Sequence, residues 1–233
     1  MLTRLQALAT LCMGLLLASC VLTPGKFTSD LVLHRNGQFT FSYKGDVTAV
    51  DPNSSMDGMM AAPSENETAA EKAEREAKAA DKAKEKNARY RAIVEAISKE
   101  KGVRSIRHLG DGKFELDYQI SGTLDHAFVF PFNSDAEIVI PFLMIEPRGD
   151  GSVRVKAVGY VGSQGGGLLV GPMGAAAPSN DKIDGSFTIR TDAEVLMHND
   201  ESGPVREGGM AVYQWKIDAL SKDAPVLTAR IGG

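Results

Sequence analysis

The residues best suited to chemistry in this chain are its two thiols, Cys12 and Cys20. A deprotonated thiol is a nucleophile that can be acylated or oxidised or can bind a metal. Both cysteines lie near the start, where Arg4 precedes an uncharged run rich in Leu and Ala over 5–17. A basic start, an apolar run of this length and small residues at its end are typical of a secretory signal, and the run is too short for a spanning helix.

The four histidines, His34, His108, His126 and His198, offer no second reactive group. They fall in or beside separate predicted strands, and no His-x-x-x-His, Cys-x-x-Cys or Gly-x-Ser-x-Gly sequence occurs. Without geometry, no pair of carboxylates stands out as an acid and a base. We therefore expect a protein that is not an enzyme and that carries no cofactor and no metal site.

The four residues Leu17-Ala18-Ser19-Cys20 resemble the lipobox of bacterial lipoproteins. The resemblance implies that residues 1–19 are a signal peptide, that Cys20 is acylated, and that the mature chain is held on a membrane. Stable attachment takes about two acyl chains, which a diacylated Cys20 would supply. Because Pro24 and Gly25 favour an irregular segment, residues 20–27 are predicted to be a tether, ~25 Å long when extended.

The charge and composition of the chain exclude some classes of binding partner. The chain has 26 basic and 30 acidic residues, and removal of Arg4 with the signal leaves 25 against 30, a net charge of −5. A mildly acidic domain without a basic patch is not expected to bind nucleic acid. With 43% hydrophobic residues, the remaining 28–233 are predicted to form a single domain with a packed core.

Alternating apolar residues predict β-strands over most of this domain. Two hairpins are indicated by Asn36-Gly37 and by Asp111-Gly112, which are strong turn sequences. Phe128 and Phe130 alternate in one predicted strand, and Phe142 lies in a nearly continuous apolar run. Trp215 is expected to anchor the core. The predicted fold class is α+β, with a strongly curved antiparallel sheet of about eight to ten strands.

One long helix interrupts the strands. After a loop at 51–65, residues 66–101 show abundant Ala, charge pairs four residues apart and a capping pattern at Ser64 and Glu67. Large apolar residues, among them Ile93 and Ile97, occur only in its second half, so that half should dock on the sheet. The first half should be charged and exposed to solvent, either simply solvated or ready to meet a partner through its alanines.

A glycine-rich loop is predicted over 162–181. It contains Leu168 and Leu169 but no charged residue over 165–174. The glycines disfavour regular structure, and the spacing does not match a phosphate-binding loop. The segment is interpreted either as a linker or as an apolar loop that dips into a membrane interface.

The lipobox, the strand–Asn36-Gly37–strand unit and the ending with Trp215 before a last strand together resemble LppM-like bacterial lipoproteins. This resemblance implies an anchored α+β envelope protein and supplies no catalytic residues. We expect a non-enzymatic lipoprotein that binds lipid or another apolar ligand near Phe130 and Phe142; Leu168 and Leu169 are further candidate contacts. The alternative is an assembly module that binds an envelope protein through the helix. Val21 after Cys20 favours the outer membrane, on its periplasmic side.

Overall fold

The computed structural model describes residues 21–50, 68–131, 141–162 and 182–232. These residues form an α+β fold with two β-sheets and one helix, in place of the single curved sheet predicted above. Both sheets are mostly antiparallel, and neither closes into a barrel. In chain order the elements are β1 (Val21–Leu33), β2 (Gln38–Val50), α1 (Ala69–Ser98), β3 (Val103–Gly110), β4 (Lys113–Thr123), β5 (Phe128–Phe130), β6 (Leu143–Pro147), β7 (Ser152–Lys156), β8 (Asp184–Thr191), β9 (Glu194–His198), β10 (Val205–Glu207), β11 (Met210–Asp218) and β12 (Val226–Arg230).

The larger sheet has seven strands in the order β10-β11-β8-β1-β2-β4-β3, and the smaller has five in the order β5-β6-β7-β12-β9. Strand β1 pairs in parallel with β8, whereas every other pairing is antiparallel. The inner faces of the two sheets share one core, which is formed by alternate residues of the central strands, among them β1, β2, β8 and β12. Aromatic contacts join the sheets, such as Phe41 with Phe130 and Tyr43 with Phe142.

The predicted tether is wrong over residues 21–27, because β1 already begins at Val21 and pairs with β2 from Val21↔Val50 onwards. Pro24 and Gly25 do disturb the chain, but only as an irregularity in the pairing between Pro24 and Phe27. Strand β8 covers β1 only from Lys26 onwards. Pro24 therefore lies where β1 is still an edge on that side, a position that proline tolerates. The folded domain thus starts at residue 21.

Both predicted hairpin turns are present. Asp111 and Gly112 have φ values of +51° and +73°, the left-handed pair that closes a tight two-residue hairpin between β3 and β4. A Cβ at Gly112 would lie 2.6 Å from the Tyr90 hydroxyl oxygen, so glycine also allows α1 to approach this turn. The expectation that Trp215 anchors the core is corrected, because Trp215 is only half-buried at its margin. Phe142, in the predicted apolar run, precedes β6, which starts two residues after Pro141.

The helix begins later than predicted. Its N-cap is Thr68, whose hydroxyl accepts from the Glu71 N–H at 3.3 Å while the Glu71 carboxylate accepts from the Thr68 N–H at 2.8 Å. This capping box replaces the one predicted at Ser64. In the second half Tyr90 is buried against Phe114 and Ala49. From Ala69 to Ala88 every side chain is exposed except that of Arg75, which is partly covered.

Candidate functional site

The second half of α1 does not lie flush on the larger sheet. Its apolar positions Ile93 and Ile97 are four residues apart and point to the same side of the helix. Both are only partly buried, and they contact the margins of the core without filling the space above β4. A cavity of about 700 Å³ lies between this half of the helix, the inner face of β2, β4 and β3, and the segment around β5.

Apolar side chains form nearly all of the cavity wall. Four residues of the wall have ionisable or charged side chains: Arg89, Glu100, Lys101 and His126. The remaining lining residues are Leu22, Val47, Ala92, Ile93, Ala96, Ile97, Val103, Ile106, Phe114, Leu116, Tyr118, Ile120, Ala127, Phe128, Val129, Phe130, Pro131 and Phe142. A concave apolar site with a few polar groups at its margin is the usual form of a small-molecule site, and 700 Å³ is within the ordinary range of such sites.

Phe130 and Phe142, which the sequence singled out, both line this cavity. Each is almost completely buried, and their rings meet edge to face with centroids 5.9 Å apart. Phe130 is further held by Tyr118, at 4.6 Å between ring centroids, and by Phe41, at 5.0 Å. Aromatic packing of this kind fixes ring positions, so this side of the cavity is preformed.

Charge gives the cavity little preference for an acidic or a basic ligand. Arg89 and Lys101 bring two positive charges to the wall and Glu100 brings one negative charge. His126 lies beside the Asp125 carboxylate, with which it forms an ion pair when protonated. Burial, together with the nearby Glu100 carboxylate, raises the pKa of Tyr118 to about 12, so its hydroxyl is neutral under physiological conditions. Apolar contact therefore dominates what this site offers a ligand.

Two parts of the wall were missed by the sequence analysis. The helix was predicted to dock, but nothing in its spacing showed that Ala92 and Ala96 would border an open space rather than a packed interface. Leu22 was assigned to the tether, yet it is a residue of β1 that lines the cavity. Cys20, Leu168 and Leu169 lie outside the described residues, and their roles stay predictions.

The four histidines are kept apart by the fold. His34 lies 3.5 Å from Asp192, His108 packs between Tyr90 and Phe114, and His198 packs against Tyr213. His126, at the cavity margin, forms an ion pair with Asp125 when it is protonated. Over the described ranges, no three His, Cys, Asp or Glu side chains gather as a metal ligand set. Nor does the described part of the chain contain a helix with the length and apolar character needed to cross a bilayer.

No protein-family model matches the chain. The curated proteins likewise give no match. Among solved structures, the chain is similar to the folded domain of the LppM protein of Mycobacterium tuberculosis, determined by NMR. That similarity covers 91% of this chain and 92% of that domain, with 13% sequence identity and a TM-score of 0.36. These values are too low for a ligand or a function to be transferred from that domain.

Proposed function

We propose that this protein is a lipoprotein of the bacterial cell envelope that binds a lipid, or another ligand with a long apolar part, in the cavity beneath α1. The observation that carries the proposal is the cavity itself, with its apolar wall and its preformed aromatic side. A well-packed domain normally contains few voids larger than a water molecule. A space of about 700 Å³ between a helix and a sheet is therefore better explained by a ligand than by imperfect packing.

The energetics favour an acyl chain as the apolar part of the ligand. Each methylene removed from water contributes ~0.8 kcal/mol, so ten buried methylenes contribute roughly 8 kcal/mol before the cost of association. The charged groups of the wall nearly cancel, and they add orientation rather than affinity. His126 of the wall is paired with Asp125, but the described lining contains no Ser, Thr or Cys that it could activate, so the proposed role is binding without catalysis.

The proposed location rests on the start of the chain. Leu17-Ala18-Ser19-Cys20 has the form of a lipobox, and acylation of Cys20 would hold the domain on a membrane. Because Val21 rather than an acidic residue follows Cys20, the outer membrane of a two-membrane bacterium is the favoured site, with the domain on its periplasmic side. The ligand would then be met at or near a lipid surface.

Binding is tested by filling the cavity from the helix. Ala96 lines the cavity, so Ala96→Trp places an indole inside it. Ala80 is on the exposed first half of the same helix, so Ala80→Trp is a matched control. The fluorescent fatty acid cis-parinaric acid is titrated into each purified protein, and thermal melts confirm that both variants are folded.

We expect Ala96→Trp to weaken binding of the probe at least tenfold while Ala80→Trp leaves it unchanged. Equal binding by both variants would show that the probe does not occupy this cavity. Native mass spectrometry of the domain isolated without Cys20 then identifies any lipid that it has retained from the cell.

An assembly module that binds an envelope protein is the second candidate. The observation in its favour is the first half of α1, where the side chains from Ala69 to Ala88 are exposed on all sides apart from that of Arg75. A helix that is polar all round is often a bridge to another protein. The pairs Glu74–Lys78 and Asp81–Lys84, at 2.7 and 3.2 Å, account for part of its stability without a partner. A protein that co-purifies through this half, in place of a lipid, would favour the second candidate.

A further inference from the structure

The cavity lies next to the point at which the chain would leave the membrane. Strand β1 begins at Val21, and Leu22, its second residue, lines the cavity. Only Val21 lies between Cys20 and Leu22, so their Cα atoms are at most ~8 Å apart. Leu22 is fixed in position because it pairs with Ala49 of β2. The chain between residue 21 and this end of the cavity therefore cannot extend further.

From Leu22 the cavity extends along β4. Its wall includes Phe114 near the start of that strand and Ile120 near the end, and it continues to Phe128 and Phe130. Six residues of strand correspond to ~20 Å. One leaflet of a bilayer has a hydrocarbon layer of about 15 Å, half of the ~30 Å core. The cavity is therefore long enough for one acyl chain laid along β4, with one end beside the residue that follows the anchor.

The end of the cavity at Leu22 is reachable from outside. Leu22 is only partly buried although it forms part of the wall. Leu109, at the end of β3, is 50% exposed, and it lies at the same end of the sheet, because the β3–β4 turn follows it and Lys113 pairs with Thr48 of β2. The apolar wall is therefore accessible at the end of the sheet where Leu22 lies.

We propose that the cavity takes up an acyl chain of a lipid directly from the membrane in which Cys20 is anchored, through the end marked by Leu22. This inference rests on the proposed function, and it specifies the source of the ligand and the route of entry. Exposing an acyl chain to water on the way to the cavity is strongly unfavourable, because every methylene of the chain is then hydrated. A domain whose cavity starts within ~8 Å of the anchor avoids that exposure, whereas a domain on a long tether does not.

The test lengthens the connection and leaves the domain unchanged. In the acylated full-length protein, Val followed by about twenty Gly and Ser residues is inserted directly after Cys20, so the residue after the lipobox stays the same. Such a spacer has a root-mean-square length of ~25 Å. The matched control carries the same insertion after Gly203, in an exposed turn far along the chain from the anchor.

Each protein is reconstituted in phosphatidylcholine vesicles that contain a phosphatidylcholine with a diazirine at the end of one acyl chain. After illumination, mass spectrometry measures the crosslinks to the peptide that contains residues 126–131. Effective concentration falls with roughly the −3/2 power of tether length, so the spacer should reduce these crosslinks tenfold or more. The insertion after Gly203 should leave them at the level of the unmodified protein.

Equal crosslinking in the spacer variant and the unmodified protein would overturn direct uptake. A second arm supplies the same diazirine lipid as a cyclodextrin complex, with vesicles free of the probe. If the cyclodextrin complex labels residues 126–131 in all variants and the vesicles label them in none, direct uptake is wrong and ligand binding stands. If neither source labels them in any variant, ligand binding in this cavity is itself wrong.

Discussion

A single buried hydrogen bond joins the centre of the larger sheet to the chain that follows β7. The Tyr160 hydroxyl donates to Ser29 Oγ at 3.0 Å, and Ser29 Oγ in turn donates to the Ser42 carbonyl at 3.2 Å. Ser29 and Tyr160 are completely buried, although 131 positions separate them in the chain. Burial raises the pKa of Tyr160 well above its ordinary value. The hydroxyl therefore stays protonated and keeps its role as a donor.

Removal of the Ser29 hydroxyl and removal of the Tyr160 hydroxyl should lower the free energy of unfolding by different amounts. Ser29→Ala leaves the Tyr160 hydroxyl buried without its acceptor, which costs about 1–3 kcal/mol. Tyr160→Phe removes the donor while Ser29 still donates to Ser42, so its cost is nearer 1 kcal/mol. With both substitutions no buried hydroxyl is left unpaired. The double variant should therefore be more stable than Ser29→Ala alone, which requires a coupling free energy larger than the cost of Tyr160→Phe, about 2 kcal/mol.

Urea unfolding measures these differences, with the fluorescence of the single tryptophan, Trp215, as the signal. Trp215 stacks on Phe187 with ring centroids 5.8 Å apart, so its emission should change when the core opens. Equal m-values would show that the variants unfold from comparable states. Ser121→Ala, at an exposed serine of β4, is the control and should change the free energy of unfolding by less than about 0.5 kcal/mol. A double variant less stable than Ser29→Ala would refute the reasoning.

Three further predictions concern the anchor, the glycine-rich loop and alkaline pH. Cys20→Ser should abolish incorporation of labelled fatty acid and release the protein from the membrane fraction; unchanged labelling would contradict lipidation at this residue. Changing both Leu168 and Leu169 to Ser should weaken liposome binding of the domain without lowering its melting temperature, and a marked loss of stability would instead place the loop in the core. Burial raises the pKa of Tyr43 and Tyr160 in the folded state, so both ionise first in the unfolded chain. The free energy that the two protonated tyrosines contribute to stability is complete below pH ~10, and it falls as the pH rises, by about 3 kcal/mol for both together at pH 11. Urea unfolding at pH 9 and at pH 11 measures this loss. An unchanged free energy of unfolding would contradict the burial of the two tyrosines.

The parts of the fold that could be predicted are those with local causes. Asp111-Gly112 defines its hairpin because left-handed backbone at a two-residue turn favours these residues, and in the four-residue turn between β1 and β2 the left-handed position is taken by Gly37. The division into two sheets has no such cause. Leu31 of β1 pairs with Ile189 of β8 across most of the chain, and nothing near either residue indicates which distant strand will be its neighbour.

The tether shows how a correct local observation led to a wrong element. Pro24 and Gly25 do oppose regular pairing, but the strand accommodates them as an irregularity and continues on both sides. The candidate site likewise has one part that could be predicted from the sequence and one part that could not. Phe130 could be selected because alternation marks inward-facing aromatic residues, and Phe142 because a continuous apolar run indicates burial. The contribution of Ala96 could not be predicted, because it depends on how closely a helix approaches a sheet elsewhere in the fold.

The position of β1 has a mechanical consequence. The strand is bonded to β2 along its length and to β8 from Lys26 onwards, and its first residue is the one through which any pull from the N-terminal side reaches the domain. A force along the strand axis loads the hydrogen bonds of both neighbours in shear, so many bonds must break together instead of opening one after another as in a zipper. An attachment at the start of a terminal edge strand would peel that strand away. Here traction on the N-terminus acts on a strand that is paired on both sides from Lys26 onwards, and the domain should withstand it as a unit.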